Sequence, residues 1–335
     1  ENFRSKSNLV EFTNQFVVSI KQRLKDKPIK ANQTENGKIK IVKYSSSHLI
    51  IPLIQDVLST GISGSTCILT STNEEAFHIS GILIKNNLKP KLIQSNDDFS
   101  LYNLLEVRYF LDGLKMEEGA YIIHDDIWDN AKRSVINRFK QSSKLEIIIN
   151  LIKDFEQTNP KKKFKSDLEV FIRESKLEDF FIENGETIFV STIHKAKGKE
   201  FDNVFVMLDN YDISTDDKKR QLYVAMTRAK NNLTIHYNGR YLENLAVEDL
   251  VKIENNNNFL PTDEFAIQLT HKDLNLGYFD YVQRRVDPLT SGEKIIVNEE
   301  GCLNQKNDLI LKFSKNFRER LLQMKQSGFH PTSGV

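Results

Sequence analysis

The chain has 335 residues, of which 28% are charged and 39% hydrophobic, and its formal net charge is +1 at pH 7. This composition is typical of a soluble globular protein and leaves room for two or three domains that each bury a core. The near-neutral charge excludes a strongly basic overall field, so any nucleic-acid contact must come from a local surface.

The cysteines and the apolar segments give little sign of special chemistry. Cys67 and Cys302 stand far apart without metal-ligand spacing, so we expect reduced, buried thiols. No run of about 18 apolar residues occurs and no signal peptide opens the chain, so we expect no membrane contact and a cytoplasmic protein.

Up to residue 93, strand-like and helical segments alternate, with a polar linker at 26–38. This alternation favours an α/β fold with a parallel sheet that helices cover on both faces. The predicted segments are a helix at 6–25, a strand at 38–44, a helix at 48–58, a strand at 66–70, a helix at 74–87 and a strand at 90–93.

The pattern then becomes helical, at 101–114, 143–155 and 167–181, which predicts an all-helical insertion. Strands resume at 187–191, 203–208 and 232–237, with a helix at 222–230 before the last of them. The insertion would therefore interrupt one α/β domain.

An acidic, Asn-rich stretch at 248–258 reads as a linker that closes the α/β domain. Beyond it, β-like runs and glycine turns predict a small β-barrel module with one short helix. The β-like runs are 265–269, 294–297 and 309–313, the turns fall at Gly292 and Gly301, and the helix is expected at 316–325. The expected division of the chain is 1–98, 99–185, 186–247 and 259–335.

Two charged strings each stand directly before an apolar run. The first is Ser-Thr-Ile-His-Lys-Ala-Lys-Gly-Lys-Glu-Phe at 191–201, and the second is Arg-Gln-Leu-Tyr-Val-Ala-Met-Thr-Arg-Ala-Lys at 220–230. A buried strand beside a polar loop or helix end holds functional groups rigidly. These strings are therefore the best candidates for chemistry.

The two strings resemble motifs V and VI of UvrD/Rep-type superfamily-one DNA helicases, and Glu-Asn-Phe-Arg-Ser at 1–5 resembles motif IV. The resemblance covers about residues 1–245 and implies the second RecA-like motor domain, interrupted by a helical insertion. The last 75 residues loosely resemble SH3-like modules of some bacterial helicases.

The phosphate-binding half of an ATPase is missing. No G-x-x-x-x-G-K-[ST] string occurs, and the nearest, Gly-Ile-Ser-Gly-Ser-Thr at 61–66, lacks the lysine. The chain also opens on Glu inside a motif. We therefore expect the C-terminal part of a larger helicase that cannot hydrolyse ATP alone, with the Mg²⁺ ligands in an N-terminal motor domain.

The resemblance assigns five residues to the ATP side. Arg228 and Arg4 would contact the γ-phosphate, where a guanidinium suits the developing negative charge. Phe3 would stack on adenine in place of the usual Tyr. Glu200 would accept a hydrogen bond from the ribose, and Gly198 would let the backbone turn close to the nucleotide. Lys199 departs from the leucine usual in the family.

Four residues are assigned to single-stranded or tailed DNA. Thr192 and His194 resemble the motif V residues that contact the strand and its phosphates without reading its sequence. Thr72 and Asn73 resemble a strand-end segment that often reads Arg-Thr-Asn, but Ser71 replaces its arginine.

Three other patterns have ordinary alternatives. His124 with Asp125 and Asp126 reads as helix capping or as solvated residues rather than as a metal site, so no metal site is assigned. The basic run at 161–165 reads as a solvated loop rather than a DNA contact. The aromatic residues at 278–281, near Arg284 and Arg285, would either stack on bases or fill a core.

The resemblance implies an ATP-dependent DNA helicase of the kind that acts in DNA repair, moving 3′ to 5′. The alternative is an ATPase-inactive, helicase-like scaffold that binds DNA or a partner protein. The residues leave DNA and RNA equally open.

Overall fold

The computed structural model describes the chain in segments separated by short gaps. The described residues are 5–23, 27–61, 63–93, 100–116, 119–181, 187–196, 198–331 and 333–334. The chain divides into two compact units, the first comprising Glu1–Ser95 and Glu183–Ile267 and the second Asn96–Ile182 and Gln268–Val335. The finer division into four segments stays a prediction.

Strands and helices are numbered in chain order. The strands are β1 (Lys38–Tyr44), β2 (Thr66–Thr70), β3 (Lys91–Ile93), β4 (Ile122–Ile123), β5 (Lys163–Phe164), β6 (Ile188–Thr192), β7 (Phe201–Leu208), β8 (Ala229–Tyr237), β9 (Leu250–Asn255), β10 (Ile296–Val297), β11 (Gly301–Leu303) and β12 (Leu309–Lys312). The helices are α1 (Ser7–Val17), α2 (Ile50–Ser59), α3 (Asn73–Lys85), α4 (Leu105–Gly113), α5 (Asp125–Arg138), α6 (Leu145–Thr158), α7 (Lys165–Glu174), α8 (Asp216–Met226), α9 (Phe279–Val286) and α10 (Lys315–Gln326).

The first unit is built on a seven-stranded sheet in the order β3-β6-β2-β7-β8-β1-β9. Every neighbouring pair in it runs parallel. The α/β class and the parallel sheet expected from the sequence are confirmed, and the architecture is consistent with a RecA-like fold. β2 and β6 are buried along their whole lengths, as expected for apolar strands that helices cover on both faces.

Helices α2 and α3 lie where the sequence predicts them, to within about two residues at each end. Leu53 of α2 and Leu83 of α3 are fully buried, in one apolar cluster with Ile68, Val190 and Phe205 of the sheet. Their helical spacing of apolar residues reflects this burial, which is why the sequence alone locates them.

Helix α1 is shorter than the predicted 6–25. After Val17 the chain tightens into a turn in which the amide of Ser19 donates to the carbonyl of Phe16 and that of Ile20 to Val17, both at 3.0 Å. Ile20 is buried from this turn, and the next segment is held by the Gln22 amide, which donates to Asp216 at 2.7 Å. These tertiary contacts end a helix that the apolar stripe alone would continue.

Helix α8 begins and ends earlier than the predicted 222–230. Thr215 caps it by accepting a hydrogen bond from the Lys218 amide at 3.3 Å, and the helix ends at Met226. The carbonyl of Arg228 accepts from the amide of Phe201 at 2.9 Å, which draws the following residues into the sheet. Arg228 therefore lies in the turn between α8 and β8 and not within a helix.

The predicted linker at 248–258 contains a strand. β9 pairs parallel with β1 from Leu250 to Asn255 and forms the last strand of the sheet. Its residues are mostly exposed, so the sequence lacks the apolar density of a buried strand, and the flanking asparagines conceal it.

A buried polar chain crosses the first unit from β1 to α2. The Tyr44 hydroxyl lies 2.8 Å from Nδ1 of His236, and Nε2 of His236 lies 3.0 Å from Asp56, which also pairs with Lys40 at 2.5 Å. Burial lowers the pKa of His236, and the opposing effect of the Asp56 carboxylate does not restore it. Burial acts to raise the pKa of Asp56, but the hydrogen bonds from His236 and Lys40 hold it below its ordinary value.

The residues between β3 and β6 are mainly helical, in the second unit. Trp128 is fully buried, packing edge-on against Phe110 at 5.1 Å and close to Phe155 at 5.7 Å, while its indole nitrogen donates to Glu156 at 2.7 Å. Two features were not predicted, helix α5 around Trp128 and the short antiparallel pair β4–β5. The expectation of an all-helical segment is therefore wrong in detail, because the two residues of β4 pair with the two residues of β5.

The C-terminal part of the second unit holds an antiparallel sheet in the order β10-β11-β12, with β10 and β12 at its edges, and the helices α9 and α10. The predicted β-run at 265–269 is not a strand. Its neighbours contact helix α3 instead, since Glu264 pairs with Lys85 at 2.6 Å and Ala266 lies against Gly81. An SH3-like barrel stays a prediction.

Candidate functional site

The carboxyl ends of β2 and β6 bring the residues predicted to contact DNA together. Thr70 and Thr192 are register partners in adjacent parallel strands, and the amide of Ile193 donates to the carbonyl of Thr70 at 2.9 Å. The loops that follow the two strands must therefore leave the same edge of the sheet. We call Thr72, Asn73, Thr192 and His194 the carboxyl-edge cluster.

A side-chain contact joins the two loops of this cluster. Lys195 donates from Nζ to Oδ1 of Asn73 at 3.3 Å. Lys195 stands inside the motif V string but was not singled out from the sequence. Its position next to His194 in that string is the signal that could have identified it.

The members of the carboxyl-edge cluster differ in exposure. His194 and Asn73 are exposed, whereas Thr192 is only 4% exposed. The Thr72 hydroxyl accepts from the Glu75 amide at 3.1 Å, and the Glu75 carboxylate accepts from the Thr72 amide, which forms a capping box for α3. His194 and Asn73 are therefore the cluster side chains best placed to meet a strand from solvent.

Three of the residues predicted to contact ATP, Gly198, Glu200 and Arg228, lie at the opposite edge of the sheet. β7 begins at Phe201 beside Ala229, the first residue of β8, so Glu200 and Arg228 directly precede paired strand starts. Gly198 lies two residues before Glu200, in the loop that enters β7. We call Gly198, Glu200 and Arg228 the amino-edge cluster.

Arg228 holds the amino-edge cluster together through its guanidinium group. Nη1 donates to the carbonyl of Lys199 at 3.1 Å, Nε to the carbonyl of Val224 at 3.0 Å, and Nη2 to the Thr227 hydroxyl at 3.2 Å. These bonds join the motif V loop to the end of α8. They also fix the direction of a positively charged, half-buried group.

Gly198 has a backbone conformation that favours glycine. Its φ is +89°, and a side-chain carbon there would meet no atom within 4 Å. The requirement comes from the backbone and not from crowding, and it leaves open space over the peptide. Such space would let a ligand approach the main chain.

The start of α1 reaches the amino edge. The amide of Lys6 donates to the carbonyl of Lys230 at 3.0 Å, and the Lys6 ammonium pairs with Glu35. Phe3 and Arg4 lie outside the described residues, so their predicted roles stay predictions.

The glycine-containing string at 61–66 has a structural role in its described part. It precedes β2, whereas a phosphate-binding loop follows a strand. Burial acts to raise the pKa of Asp202, but the Ser65 hydroxyl at 2.8 Å, the Ser65 amide and nearby Lys230 hold it below its ordinary value. Gly64, at φ +86°, is required because a side-chain carbon would lie 2.7 Å from Asp202.

The acidic pair at 125–126, the basic run at 161–165 and the aromatic residues at 278–281 were the three other patterns in the sequence. Asp125 lies in the first turn of α5 and pairs with Lys163 at 2.8 Å, which lowers the pKa of Asp125. Part of the basic run at 161–165 therefore stabilises the fold. Tyr281 is 85% exposed, so it does not fill a core.

Metal-ligand clusters and membrane-crossing helices were also sought. Within the described ranges, no three His, Cys, Asp or Glu side chains come together as metal ligands. No helix in that same part of the chain is long and apolar enough to cross a membrane.

A family model identifies the class of protein to which this chain belongs. The chain belongs to the UvrD-like helicase C-terminal domain family, whose model matches residues 1–118 and 115–240. The resemblance drawn from the motifs is thereby confirmed at the level of the family.

A curated protein and a solved structure are among the proteins to which the chain is similar. Gabija protein GajB of Bacillus cereus (strain VD045) is 24% identical over 283 residues, which cover 76% of this chain and 54% of GajB. The chain thus spans about half the length of that curated relative. The crystal structure of the C-terminal domain of a possible DNA helicase from Lactobacillus plantarum WCFS1 matches with a TM-score of 0.36 and 12% identity, over 75% of this chain and 99% of that one.

Proposed function

We propose that the chain is the C-terminal half of an ATP-dependent DNA helicase or translocase. It completes an ATP site with the N-terminal motor domain of the same protein and forms part of the track for single-stranded DNA. It does not hydrolyse ATP alone, because the phosphate-binding loop and the Mg²⁺ ligands belong to the other motor domain.

The observation that carries this proposal is the loop from Ile193 to Glu200. It leaves β6 at the carboxyl edge, beside Asn73, and enters β7 at the amino edge, where Arg228 is bonded to Lys199. One short loop therefore touches both clusters. A change at one edge can move the other without passing through the rest of the sheet.

The amino-edge cluster has the groups that suit binding of a nucleoside triphosphate. Arg228 carries a permanent positive charge with a planar fork that suits phosphate oxygens, and Gly198 leaves its backbone open to approach. Glu200 supplies a carboxylate for a ribose hydroxyl. Arg4 is assigned to the γ-phosphate and Phe3 to the base from the motif resemblance.

The carboxyl-edge cluster fits a single strand. His194 and Asn73 are exposed, and Lys195 adds a cation that favours a phosphate backbone. Thr72 and Thr192 hold the ends of the two loops. ATP supplies the free energy. When Arg228 exchanges its bond to Lys199 for a phosphate, the loop moves and changes the contact of His194 with the DNA strand.

The remaining assignments follow the motifs. We assign residues 99–185 to an insertion within the motor domain, which spans 1–98 and 186–247, and residues 259–335 to a small appended SH3-like module. DNA repair is the proposed setting.

The test uses the complete protein and measures ATP turnover with and without single-stranded DNA. Arg228→Ala should reduce DNA-stimulated turnover by about 10³-fold, the usual size of an arginine-finger effect, and leave DNA affinity unchanged. Arg133→Ala is the matched control, because Arg133 is exposed on α5 and its bonds among the described residues, to Asp129 and Asn130, are local. Wild-type turnover in Arg228→Ala would overturn the proposal.

The scaffold alternative predicts another result in the same experiment. A complete protein that binds single-stranded DNA but never turns over ATP would establish the scaffold. Replacing the DNA by an RNA strand of the same sequence then separates the two nucleic acids.

A further inference from the structure

β9 is the last strand of the seven-stranded sheet and carries charged residues as its edge protection. It pairs with β1 over six residues in continuous register and contains no proline. Val251 is 52% exposed and Ile253 is 42% exposed. Natural edge strands are usually shortened, charged, bulged, covered or interrupted by proline, because a free edge templates pairing with another strand. In β9 the charges are of opposite sign, on Lys252 and Glu254, so they repel some alignments of a second strand and favour others.

The direction of the backbone groups shows which residues form the free edge. The amide of Ser45 donates to the carbonyl of Asn255 at 3.3 Å, so Asn255 faces β1. Since backbone groups alternate along a strand, Val251 and Ile253 also face β1. Lys252 and Glu254 then direct their amide and carbonyl groups outward.

We propose that this edge pairs with β9 of a second copy of the chain, antiparallel, about a twofold axis at Ile253. Outward-facing residues must pair with outward-facing residues in such a ladder. The register centred on Ile253 sets Lys252 opposite Glu254 of the second copy, twice. Four backbone hydrogen bonds and two ion pairs form together.

Charge selects this register over its neighbours. Centring the ladder on Lys252 would set Lys252 against Lys252, and centring it on Glu254 would set two carboxylates against each other. Like charges directly opposite destabilise a strand pair, whereas opposite charges stabilise it. The six residues of β9 therefore provide an unpaired strand edge, and their charges favour one alignment with a second copy.

The two charged side chains are accessible for this pairing. The Glu254 side chain is 73% exposed and forms only a long ion pair with Lys43, at 3.8 Å. Lys252 is exposed and its ammonium donates at 2.7 Å to the carbonyl of Glu243, which leaves two further N–H donors on that group. In the paired state Ile253 meets its copy, which covers apolar surface that is now exposed to water.

Single cysteine substitutions in the complete protein test which residues of the two β9 strands lie opposite each other. At the twofold axis, Ile253 would form a non-hydrogen-bonded pair with Cα atoms about 4.5 Å apart, within disulfide range. Ile253→Cys should therefore give a disulfide-linked dimer under mild oxidation, and Lys252→Cys and Glu254→Cys should not. Cys67 and Cys302 of this chain are buried, and the unsubstituted complete protein under the same oxidation gives the background. No dimer at Ile253→Cys, or equal dimer at all three positions, would overturn the proposal.

A charge exchange tests the ion pairs, with sedimentation velocity over a concentration series as the measurement. Lys252→Glu or Glu254→Lys alone should weaken self-association by about tenfold, and the double exchange should restore it. Unchanged urea midpoints show that each variant remains folded. The proposal would be overturned if neither single exchange changed the strength of self-association, or if the complete protein stayed monomeric at every concentration.

Discussion

Arg228 donates from Nη1 to the main-chain carbonyl of Lys199 at 3.1 Å, which ties the end of helix α8 to the loop that carries Glu200. The same guanidinium group also bonds the Val224 carbonyl, so one side chain bridges two backbone segments. The residue assigned to the γ-phosphate is thus also a structural link within its own domain.

The first prediction concerns the shape of that side chain. Arg228→Lys keeps the positive charge but loses the planar fork that reaches both carbonyl groups. We expect it to lower the free energy of unfolding by about 1 kcal/mol and to fail to restore ATP turnover. Urea denaturation and steady-state ATPase assays measure the two effects. Full activity in Arg228→Lys would mean that charge alone is sufficient.

The second prediction concerns the ribose contact of Glu200. Glu200→Ala in the complete protein should raise the KM for ATP several-fold, because the ribose hydroxyl loses its acceptor. The wild type should discriminate against 2′-deoxy- or 3′-deoxy-ATP, and Glu200→Ala should discriminate much less. Equal discrimination by the two proteins would remove Glu200 from the nucleotide site.

The third prediction concerns the exposed residues of the carboxyl-edge cluster. His194→Ala and Asn73→Ala should each weaken binding of single-stranded DNA several-fold, because each removes a polar group that can contact phosphate. Fluorescence anisotropy with a labelled oligonucleotide at fixed salt measures the affinity. His271→Ala, an exposed histidine outside the first unit, is the control and should bind as the wild type does.

The fourth prediction concerns the structural role of Thr72 as the cap of α3. Thr72→Ala removes the cap of α3 and should lower the free energy of unfolding by about 1 kcal/mol. Thr72→Ser keeps a capping hydroxyl and should be close to neutral. Thermal unfolding of both variants measures the difference, and equal losses in the two would argue against the cap.

The fifth prediction is a pH dependence of stability. The pKa of His236 lies below its ordinary 6.5 in the folded state because the ring is buried. As the pH falls through 6.5, His236 therefore takes up a proton more readily in the unfolded chain than in the folded one. The contribution of His236 to stability is present above pH 6.5 and is lost as the pH falls. We expect the free energy of unfolding to decline between about pH 7 and about pH 5.

His236→Gln should flatten this decline, as measured by urea unfolding at both pH values. Burial also lowers the pKa of His78, so His78→Gln should remove a separate part of the same slope. Identical slopes in the wild type and His236→Gln would exclude His236 as a source.

Much of the first unit could be predicted because its elements follow local rules. β1 and β2 have the predicted bounds, since each is a short apolar or alternating run with turn residues at its ends. α5 was missed because its buried residues, Trp128, Ala131 and Val135, stand among charged neighbours and give a weak stripe. β9 was missed because its residues are exposed and resemble a polar linker.

The sequence by itself determined the α/β class, the family, and the residue types at both candidate sites, because these depend on local periodicity and on short motifs. Only the tertiary structure decided that the motif V loop spans from one edge of the sheet to the other, and that Arg228 bonds to it. Those facts depend on which strands are neighbours, and Thr70 meets Thr192 across 122 positions of sequence through pairing that no local pattern encodes.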